Sequence, residues 1–254
     1  MNDAALTSFM HQLADEAGAI ARRHFRTTLH AEQKADSSPV TIADREIEQR
    51  LRQLIMAQYP QHGILGEEQS AHQPEARWQW VIDPIDGTRA FMAGIATFTT
   101  LIALCENGMP IAGIIDQPIT RERWLSSEPK PKDHSAPDTL GQASLATTSS
   151  LYFTPDEQAA FESLKAACAS TLLGGDAYLY AMLASGHLDV VVDSGLKPYD
   201  FAALVPVVTS HGGIISDWQG KPLTLTSNGR VLAARTKLLH QQALDKLTFS
   251  AAAS

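Results

Sequence analysis

Cysteine is scarce in this sequence, which has only Cys105 and Cys168 among its 254 residues. A strand is predicted around the first and a helix around the second, so both are expected to be small buried residues and not a disulfide pair or metal ligands. Two cysteines and no signal-peptide pattern predict a protein of the reducing cytoplasm. Every apolar run falls well short of the roughly 20 residues that a membrane span needs, so no membrane partner is expected.

Positive charge is also in short supply. The chain has 20 Lys and Arg against 28 Asp and Glu, a formal net charge of −8, which argues against nucleic acid as the main partner. An anionic substrate stays compatible with this charge, because bound divalent cations invert the local charge. With 44% hydrophobic and 19% charged residues, the chain is expected to be globular and to form one large domain or two small ones sharing a core.

The most informative stretch is an apolar run that ends in Asp-Pro-Ile-Asp-Gly-Thr. The run predicts a buried strand, and Pro84, which has no N–H, is expected to end it. Asp83 and Asp86 then offer acceptors for a hard cation. Gly87 permits a tight turn, and Thr88 can open a helical turn whose free N–H groups would bind an anion. The combination suits a metal-bound phosphate, although this motif taken alone fits an ordinary Asx turn better.

Three further acids lie at the ends of predicted elements. Glu67 follows a short strand, Asp44 lies near the start of a helix capped by Thr41, and Asp200 lies in the first turn of a helix. A charged surface turn would explain the first, and the helix dipole alone would explain the other two. Taken with the two aspartates of the motif, however, Glu67 and Asp200 make four carboxylates that cannot share a site without cations. Two or more Mg²⁺ ions would satisfy them.

The predicted elements divide the chain into two halves. The first half has two helices, a short strand and an antiparallel meander, and is α+β; the second alternates strands with helices and predicts an α/β unit with helices on both faces. We expect an N-terminal subdomain over 1–126 with most of the metal ligands, a connecting loop over 127–142, and a C-terminal subdomain over 143–254. Residues 26–40 are expected to be irregular, and a single helix is expected over 199–210.

The acidic stretches resemble the signatures of a known family. Gly66-Glu67-Glu68, Asp83-Pro84-Ile85-Asp86-Gly87-Thr88 and Asp200 are similar, in order and spacing, to the three signatures of the inositol-monophosphatase family. Its members are Mg²⁺-dependent, in many cases lithium-sensitive, and usually dimeric. The resemblance runs from the first helix to Val231. It implies an αβαβα layered sandwich of the inositol-monophosphatase and fructose-1,6-bisphosphatase type, and a homodimer.

The resemblance also implies a role for each matching residue. Two metal ions would be held by Glu67, Asp83, the carbonyl of Ile85, Asp86 and Asp200, with a third, weaker ion at Glu67. The catalytic residues would be Glu67 and Thr88, which orient the attacking water, and Asp44 close to the metals. The N–H groups of Gly87 and Thr88 would bind phosphate oxygens. The implied reaction is in-line hydrolysis of a small phosphomonoester without a phospho-enzyme.

Within the family, the sequence is more similar to the histidinol-phosphate phosphatase type. Arg89 and Ala90 stand where the inositol enzymes carry threonine and asparagine, and Tyr199 stands where they carry tryptophan. The implied activity is hydrolysis of L-histidinol phosphate. Inositol phosphate and 3′-phosphoadenosine 5′-phosphate are the alternative substrates, and a binding or regulatory protein without catalysis is the alternative of another class.

Histidinol phosphate carries an ammonium and an imidazole, so its pocket should offer carboxylates besides those at the metals. Asp176, at a strand-to-helix junction, and Asp193, at the end of an apolar strand, are the candidates, and the resemblance implies that both lie on the substrate side of the site. Helix N-capping would equally explain the first, and a solvated strand end the second. Asp86, Asp200 and Arg89 complete the predicted substrate-binding set.

Overall fold

The computed structural model of the protein describes residues 3–27, 32–33, 39–129 and 135–247. This part of the chain contains eight α-helices and twelve strands. The helices are α1 (Asp3–His24), α2 (Ile42–Gln58), α3 (Thr88–Met92), α4 (Pro155–Ala167), α5 (Tyr178–Ser185), α6 (Pro198–Phe201), α7 (Leu204–Ser210) and α8 (Lys237–Lys246). The strands are β1 (Glu32–Gln33), β2 (Pro39–Val40), β3 (Gly63–Gly66), β4 (Trp78–Asp86), β5 (Thr99–Glu106), β6 (Met109–Gln117), β7 (Glu122–Leu125), β8 (Ser144–Thr147), β9 (Ser170–Leu173), β10 (Val190–Asp193), β11 (Ile214–Ser216) and β12 (Val231–Ala234).

The start of α2 confirms the predicted cap. The hydroxyl of Thr41 accepts the N–H of Ala43, and the side chain of Asp44 accepts the N–H of Thr41, which together form a capping box. Upstream of this cap, the segment expected to be irregular contains the short antiparallel pair β1–β2. Residues 28–31 and 34–38 of that segment lie outside the described residues.

The first sheet has the strand order β3-β4-β5-β6-β7. The predicted antiparallel meander is confirmed for β4 to β7, but β3 pairs parallel with β4. The predicted antiparallel sheet therefore has one parallel edge strand, β3. The connection over 67–77 carries the chain back along the sheet, so both strands run in the same direction. In this register Gly66 pairs with Ile82, and the residues that follow, Glu67 and Asp83, come to the same end of the sheet.

Strand β4 continues past Pro84, which corrects the prediction that the proline ends it. The pairing with β5 shifts register between Asp83, which pairs with Leu101, and Asp86, which pairs with Thr99. An advance of three residues along β4 thus matches an advance of two along β5, and this irregularity is a β-bulge. A bulge tolerates a proline, because the extra residue needs no ladder hydrogen bond. In a regular strand, residues three apart point to opposite faces; the bulge lets both aspartates serve one site.

The second sheet has the order β11-β12-β10-β8-β9 and mixed directions. Strand β8 is parallel to β9 and β10, whereas β12 is antiparallel to β10 and β11. The predicted alternation of strands and helices is confirmed. One difference is that the helix expected over 199–210 is two helices, α6 and α7. Pro206 has no N–H to donate to the carbonyl of Ala202 and its ring would clash there, so the break falls at 202–203.

Three buried clusters show how the elements are layered. One joins α1 and α2 to the outer face of the first sheet, and a second joins α4 and α8 to the outer face of the second sheet. The third contains α5, α6 and α7 between the two sheets. The layer order is therefore αβαβα, as the resemblance implied. The division into subdomains over 1–126 and 143–254 stays a prediction.

The two cysteines are free thiols, as expected. Cys105 is buried in β5, and burial raises its pKa to about 12. Cys168 is half-buried at the end of α4, and burial raises its pKa to about 11. Within the described residues, no helix has the length and apolarity to cross a membrane.

Candidate active site

Three carboxylates converge between the two sheets. Asp83 and Asp86 come from the bulged end of β4 and Asp200 from α6, and one oxygen of each lies within 4.8 Å of the others. Asp86 and Asp200 border a cavity of about 530 Å³. Its wall includes Glu67, Asp86, Gly87, Thr88, Arg89, Thr148, Ser149, Tyr152, Asp176, Ala177, Tyr180, Asp193, Ser194, Lys197, Tyr199 and Asp200. The two halves of the chain therefore build one site, and its floor is acidic.

Backbone hydrogen bonds orient two of these carboxylates, and one oxygen of the third has no hydrogen-bond partner. Asp86 Oδ2 accepts the N–H of Ala177 at 2.6 Å, and Asp200 Oδ2 accepts the N–H of Lys197 at 2.6 Å. Asp83 is 2% exposed, and its Oδ1 has no hydrogen-bond partner. A buried carboxylate oxygen without a partner is costly unless a ligand satisfies it. These oxygens therefore fit hard cations such as Mg²⁺.

The electrostatics of the protein chain alone point the same way. Burial, followed by the charges of Glu67, Asp86 and Asp200, raises the pKa of Asp83 well above its usual value. Burial and the charges of neighbouring acids, Asp176 first, likewise raise the pKa of Asp86. For Asp200, burial outweighs the hydrogen bond from the Lys197 N–H and raises the pKa to about 7. An opposite charge placed among these groups would favour their ionised forms.

Glu67 and Asp44 lie at the edge of the same cluster. Glu67 follows β3 beside Asp83, and its charge and hydrogen bonding both raise the pKa of that aspartate. Asp44 has no exposed surface; its Oδ2 accepts hydrogen bonds from the N–H and hydroxyl of Thr41, at 2.8 and 2.5 Å. Its Oδ1 is buried without a partner, and its pKa is raised by burial and by the charge of Glu67. Asp44 thus caps the helix and also lies close to the acidic cluster.

The turn after β4 lies beside the carboxylates. Gly87 has φ +86°, a left-handed conformation that favours glycine, and α3 begins at the next residue. The hydroxyl of Thr88 donates to the carbonyl of Ile85 at 3.1 Å. A side chain at position 87 would also crowd the opposite wall, because its Cβ would lie 2.7 Å from Asp176 Oδ2. The turn and Asp176 therefore face each other closely.

The helix-capping alternative for Asp176 is wrong. The N-cap of α5 is Ala177, which has no side-chain cap, and its N–H binds Asp86 instead. Asp176 itself has φ +48°, a conformation that is uncommon for residues other than glycine. Burial raises the pKa of Asp176, while the charge of Arg89 lowers it. The guanidinium of Arg89 lies 5.6 Å from the ring centre of Tyr152 at the rim of the cavity.

The solvated strand end that was the alternative for Asp193 is also wrong. Asp193 is 2% exposed, and burial raises its pKa to about 6. It accepts hydrogen bonds from the Thr147 hydroxyl, the Thr148 N–H and the Tyr180 hydroxyl, at 2.9, 2.8 and 2.9 Å. Both of its oxygens are thus used to tie β10 to β8 and α5.

Some residues at the site were missed by the sequence analysis. Tyr152 belongs to a 3₁₀ turn and Tyr180 to an apolar helix, and neither position carries a signal that would single it out. Ser194 donates its hydroxyl to Glu157 at 2.7 Å, which also requires the folded chain to be seen. Glu48 and Arg52 were also missed; they lie outside the cavity wall, one helical turn apart beside the apolar stripe of α2, and that spacing could have drawn attention to them.

Comparison with known proteins shows the family. The model of the inositol monophosphatase family matches residues 2–252. The chain belongs to this family. It is 41% identical to a bifunctional phosphatase IMPL2 from Arabidopsis thaliana chloroplasts, over 92% of this chain and 72% of that protein. It is 32% identical to a histidinol-phosphatase from Chlorobaculum parvum, over 87% and 89% of the two chains.

The fold has a similar counterpart among solved structures. An inositol monophosphatase from Zymomonas mobilis superposes with a TM-score of 0.87 and 46% identity, over 97% of this chain and 99% of the other. The family consists of metal-dependent phosphatases, typically using Mg²⁺, that act on small phosphomonoesters. The acidic cluster is consistent with that metal dependence.

Proposed function

We propose that the chain hydrolyses L-histidinol phosphate to L-histidinol and phosphate in a Mg²⁺-dependent reaction. The observation that carries the choice of substrate is the position of Asp176. This half-buried carboxylate faces the Gly87 turn but is not one of the three clustered aspartates. An ammonium close to a bound phosphate would find its counter-charge there. The histidinol-phosphatase from Chlorobaculum parvum adds support.

In this proposal the acidic cluster holds two or three Mg²⁺ ions. Asp83, Asp86, Asp200, Glu67 and the carbonyl of Ile85 are the ligands. The unpartnered Oδ1 of Asp83 and the raised pKa of all three clustered aspartates support this assignment. When bound, such ions neutralise phosphate charge and make water a stronger nucleophile at neutral pH.

The remaining groups orient the phosphate and the attacking water. The N–H groups of Gly87 and Thr88 bind phosphate oxygens at the start of α3. The hydroxyl of Thr88 and the carboxylate of Glu67 position the water for in-line attack, and Asp44 acts close to the metals, where burial and the nearby charge of Glu67 raise its pKa. In-line displacement inverts the phosphorus and leaves no covalent phospho-enzyme. These roles carry over from the family by position.

The substrate's organic part lies against the opposite wall. Asp176 binds the ammonium, and Arg89, stacked on Tyr152, closes the rim. Asp193 acts differently from Asp176 in this proposal. Its oxygens already accept three hydrogen bonds, so it shapes the wall behind the substrate and contributes negative charge there.

Other substrates are the main alternative. The similar Zymomonas mobilis structure is described as an inositol monophosphatase, which favours inositol phosphate. The exposed guanidinium of Arg89 would instead favour a second anionic group, as in 3′-phosphoadenosine 5′-phosphate. A regulatory binding protein without catalysis is the alternative of another class, and the carboxylate cluster argues against it.

The test is phosphate release from these three esters with Mg²⁺ and with a chelator present. We expect Mg²⁺-dependent release, fastest in kcat/KM for histidinol phosphate. Preference for another ester would move the assignment to that substrate. No release from any of them would favour the non-catalytic alternative.

We also propose that the protein is a cytoplasmic homodimer. The dimer rests on membership of a family whose members are usually dimeric. The cytoplasm rests on the two free thiols, which suit a reducing compartment.

A further inference from the structure

A buried carboxylate outside the cavity holds the loop that carries Glu67. Glu48, in α2, has no exposed surface. Its Oε2 accepts the backbone N–H of Glu68 at 2.7 Å, and its Oε1 accepts that of Gln69 at 3.1 Å. The two residues that follow Glu67 are therefore anchored to one side chain of a packed helix.

Arg52, one turn further along α2, completes this anchor. Its Nε donates to Glu48 Oε1 at 2.8 Å, and its Nη2 donates to the carbonyl of Gln69 at 3.1 Å. The arginine is 7% exposed, so the pair is buried. A buried ion pair gives little net stability compared with apolar side chains of the same volume. Stability alone therefore does not explain why charged residues occupy these two positions.

Gly66 allows the loop to wrap around this carboxylate. A Cβ at position 66 would overlap the carboxylate of Glu48. The glycine therefore lets the end of β3 pack directly on that group. Gly66 before Glu67 and residues Glu68 and Gln69 after it thus pack against Glu48 or bond to the pair, and Arg52 compensates the charge of Glu48.

We propose that the Glu48–Arg52 pair is a positioning device that aims the carboxylate of Glu67 at the acidic cluster. The inference rests on the proposed function, in which Glu67 is a metal ligand. A ligand on a loop must be held within about 0.5 Å of its productive position, which requires locked neighbours. The parallel pairing of β3 with β4 brings Glu67 beside Asp83, and the pair fixes the loop immediately after it.

The experiment measures Mn²⁺ binding to the full chain by electron paramagnetic resonance of the free ion, since Mn²⁺ suits the same oxygen ligands. Glu48→Gln keeps the size of the side chain but replaces one accepting oxygen with an NH₂ donor. That donor would face a backbone N–H, which is also a donor, so one of the two hydrogen bonds is lost. We expect affinity to fall roughly 10- to 100-fold, as for other partners of metal ligands. An unchanged affinity in the folded variant would overturn the proposal.

A matched control separates positioning from general stability. Asp189 is also a buried carboxylate, paired with Arg235 and accepting the N–H of Ser144 at 2.9 Å, but it lies outside the cavity wall. Asp189→Asn should lower the free energy of unfolding and leave Mn²⁺ affinity at the wild-type value. If both variants lose the same affinity, Glu48 has only a structural role and the proposal is wrong.

A double-mutant cycle with Glu67→Gln tests the route of the effect. With Glu67 already changed, Glu48→Gln should cause little further loss of affinity; fully additive losses would contradict the proposal. If Glu48→Gln does not fold, Arg52→Lys replaces it in the same cycle, because lysine keeps the charge and loses the planar double contact. A wild-type chain that binds no Mn²⁺ would refute the proposed function itself, and this inference with it.

Discussion

Asp176→Asn isolates the charge that we assign to substrate recognition. Asparagine has nearly the same shape, and it tolerates the left-handed conformation at φ +48° better than most residues. The replacement therefore removes the charge while the Gly87 turn opposite stays in place. A hydrogen bond to a charged group contributes about 1.5–3 kcal/mol. The expected loss in kcat/KM on histidinol phosphate is thus about 10- to 150-fold.

The assay compares histidinol phosphate with inositol phosphate, whose ring carries only hydroxyl groups. Asp176→Asn should lose activity selectively on the cationic substrate. Asp193→Asn is the matched comparison, because its carboxylate binds three groups of the protein. It should weaken both activities alike and lower the free energy of unfolding. Equal losses on both esters for Asp176→Asn would refute the assigned role.

Three further predictions concern metal, acid and assembly. Asp83→Asn should abolish Mg²⁺-dependent turnover. In the presence of a chelator at pH 7 it should raise the melting temperature, because burial and like charges disfavour the ionised form of Asp83. Full turnover or a lower melting temperature would contradict this. Burial raises the pKa of Glu157, but hydrogen bonds from Arg230, the Thr154 N–H and Ser194 outweigh it and lower the pKa to about 2. Its contribution to stability should therefore be lost as pH falls from about 4.5 to 2. Glu157→Gln should flatten denaturant-measured stability over that range, and a wild-type pH profile in the variant would contradict it. Light scattering should give twice the chain mass of 27.5 kDa; the monomer mass at micromolar protein would refute the homodimer.

The sequence predicted what depends on local pattern. The Thr41 cap and the helix after Gly87 follow from the preferences of single residues, and the structure confirms both. The layered fold followed from the resemblance and from the alternation of strands and helices. Cap, turn and layer order could thus be predicted before any contact between distant residues was known.

Most of the wrong predictions depended on contacts between distant segments; the single helix expected over 199–210 is the exception, because Pro206 divides it locally. Pro84 stops a regular strand, but a bulge opposite β5 accommodates it. Nothing near Asp193 in the chain shows that Thr147 and Tyr180 will bind its oxygens. The N–H next to Asp176 binds Asp86 from the other half of the chain. Local preference could not reveal these partners, because each one lies between 13 and 91 residues away.

The acidic cluster lowers the stability of the metal-free fold and at the same time offers ligands for a cation. Asp83 is nearly fully buried beside other acids, and its pKa is raised well above its usual value. In the metal-free chain this arrangement costs stability at neutral pH. The fold sustains it with apolar clusters on both sides of each sheet and with backbone hydrogen bonds that fix Asp86 and Asp200. A cation among these oxygens would be attracted by the same charges that repel one another in the metal-free protein, so the groups that destabilise the metal-free protein are the ones that would give it metal affinity.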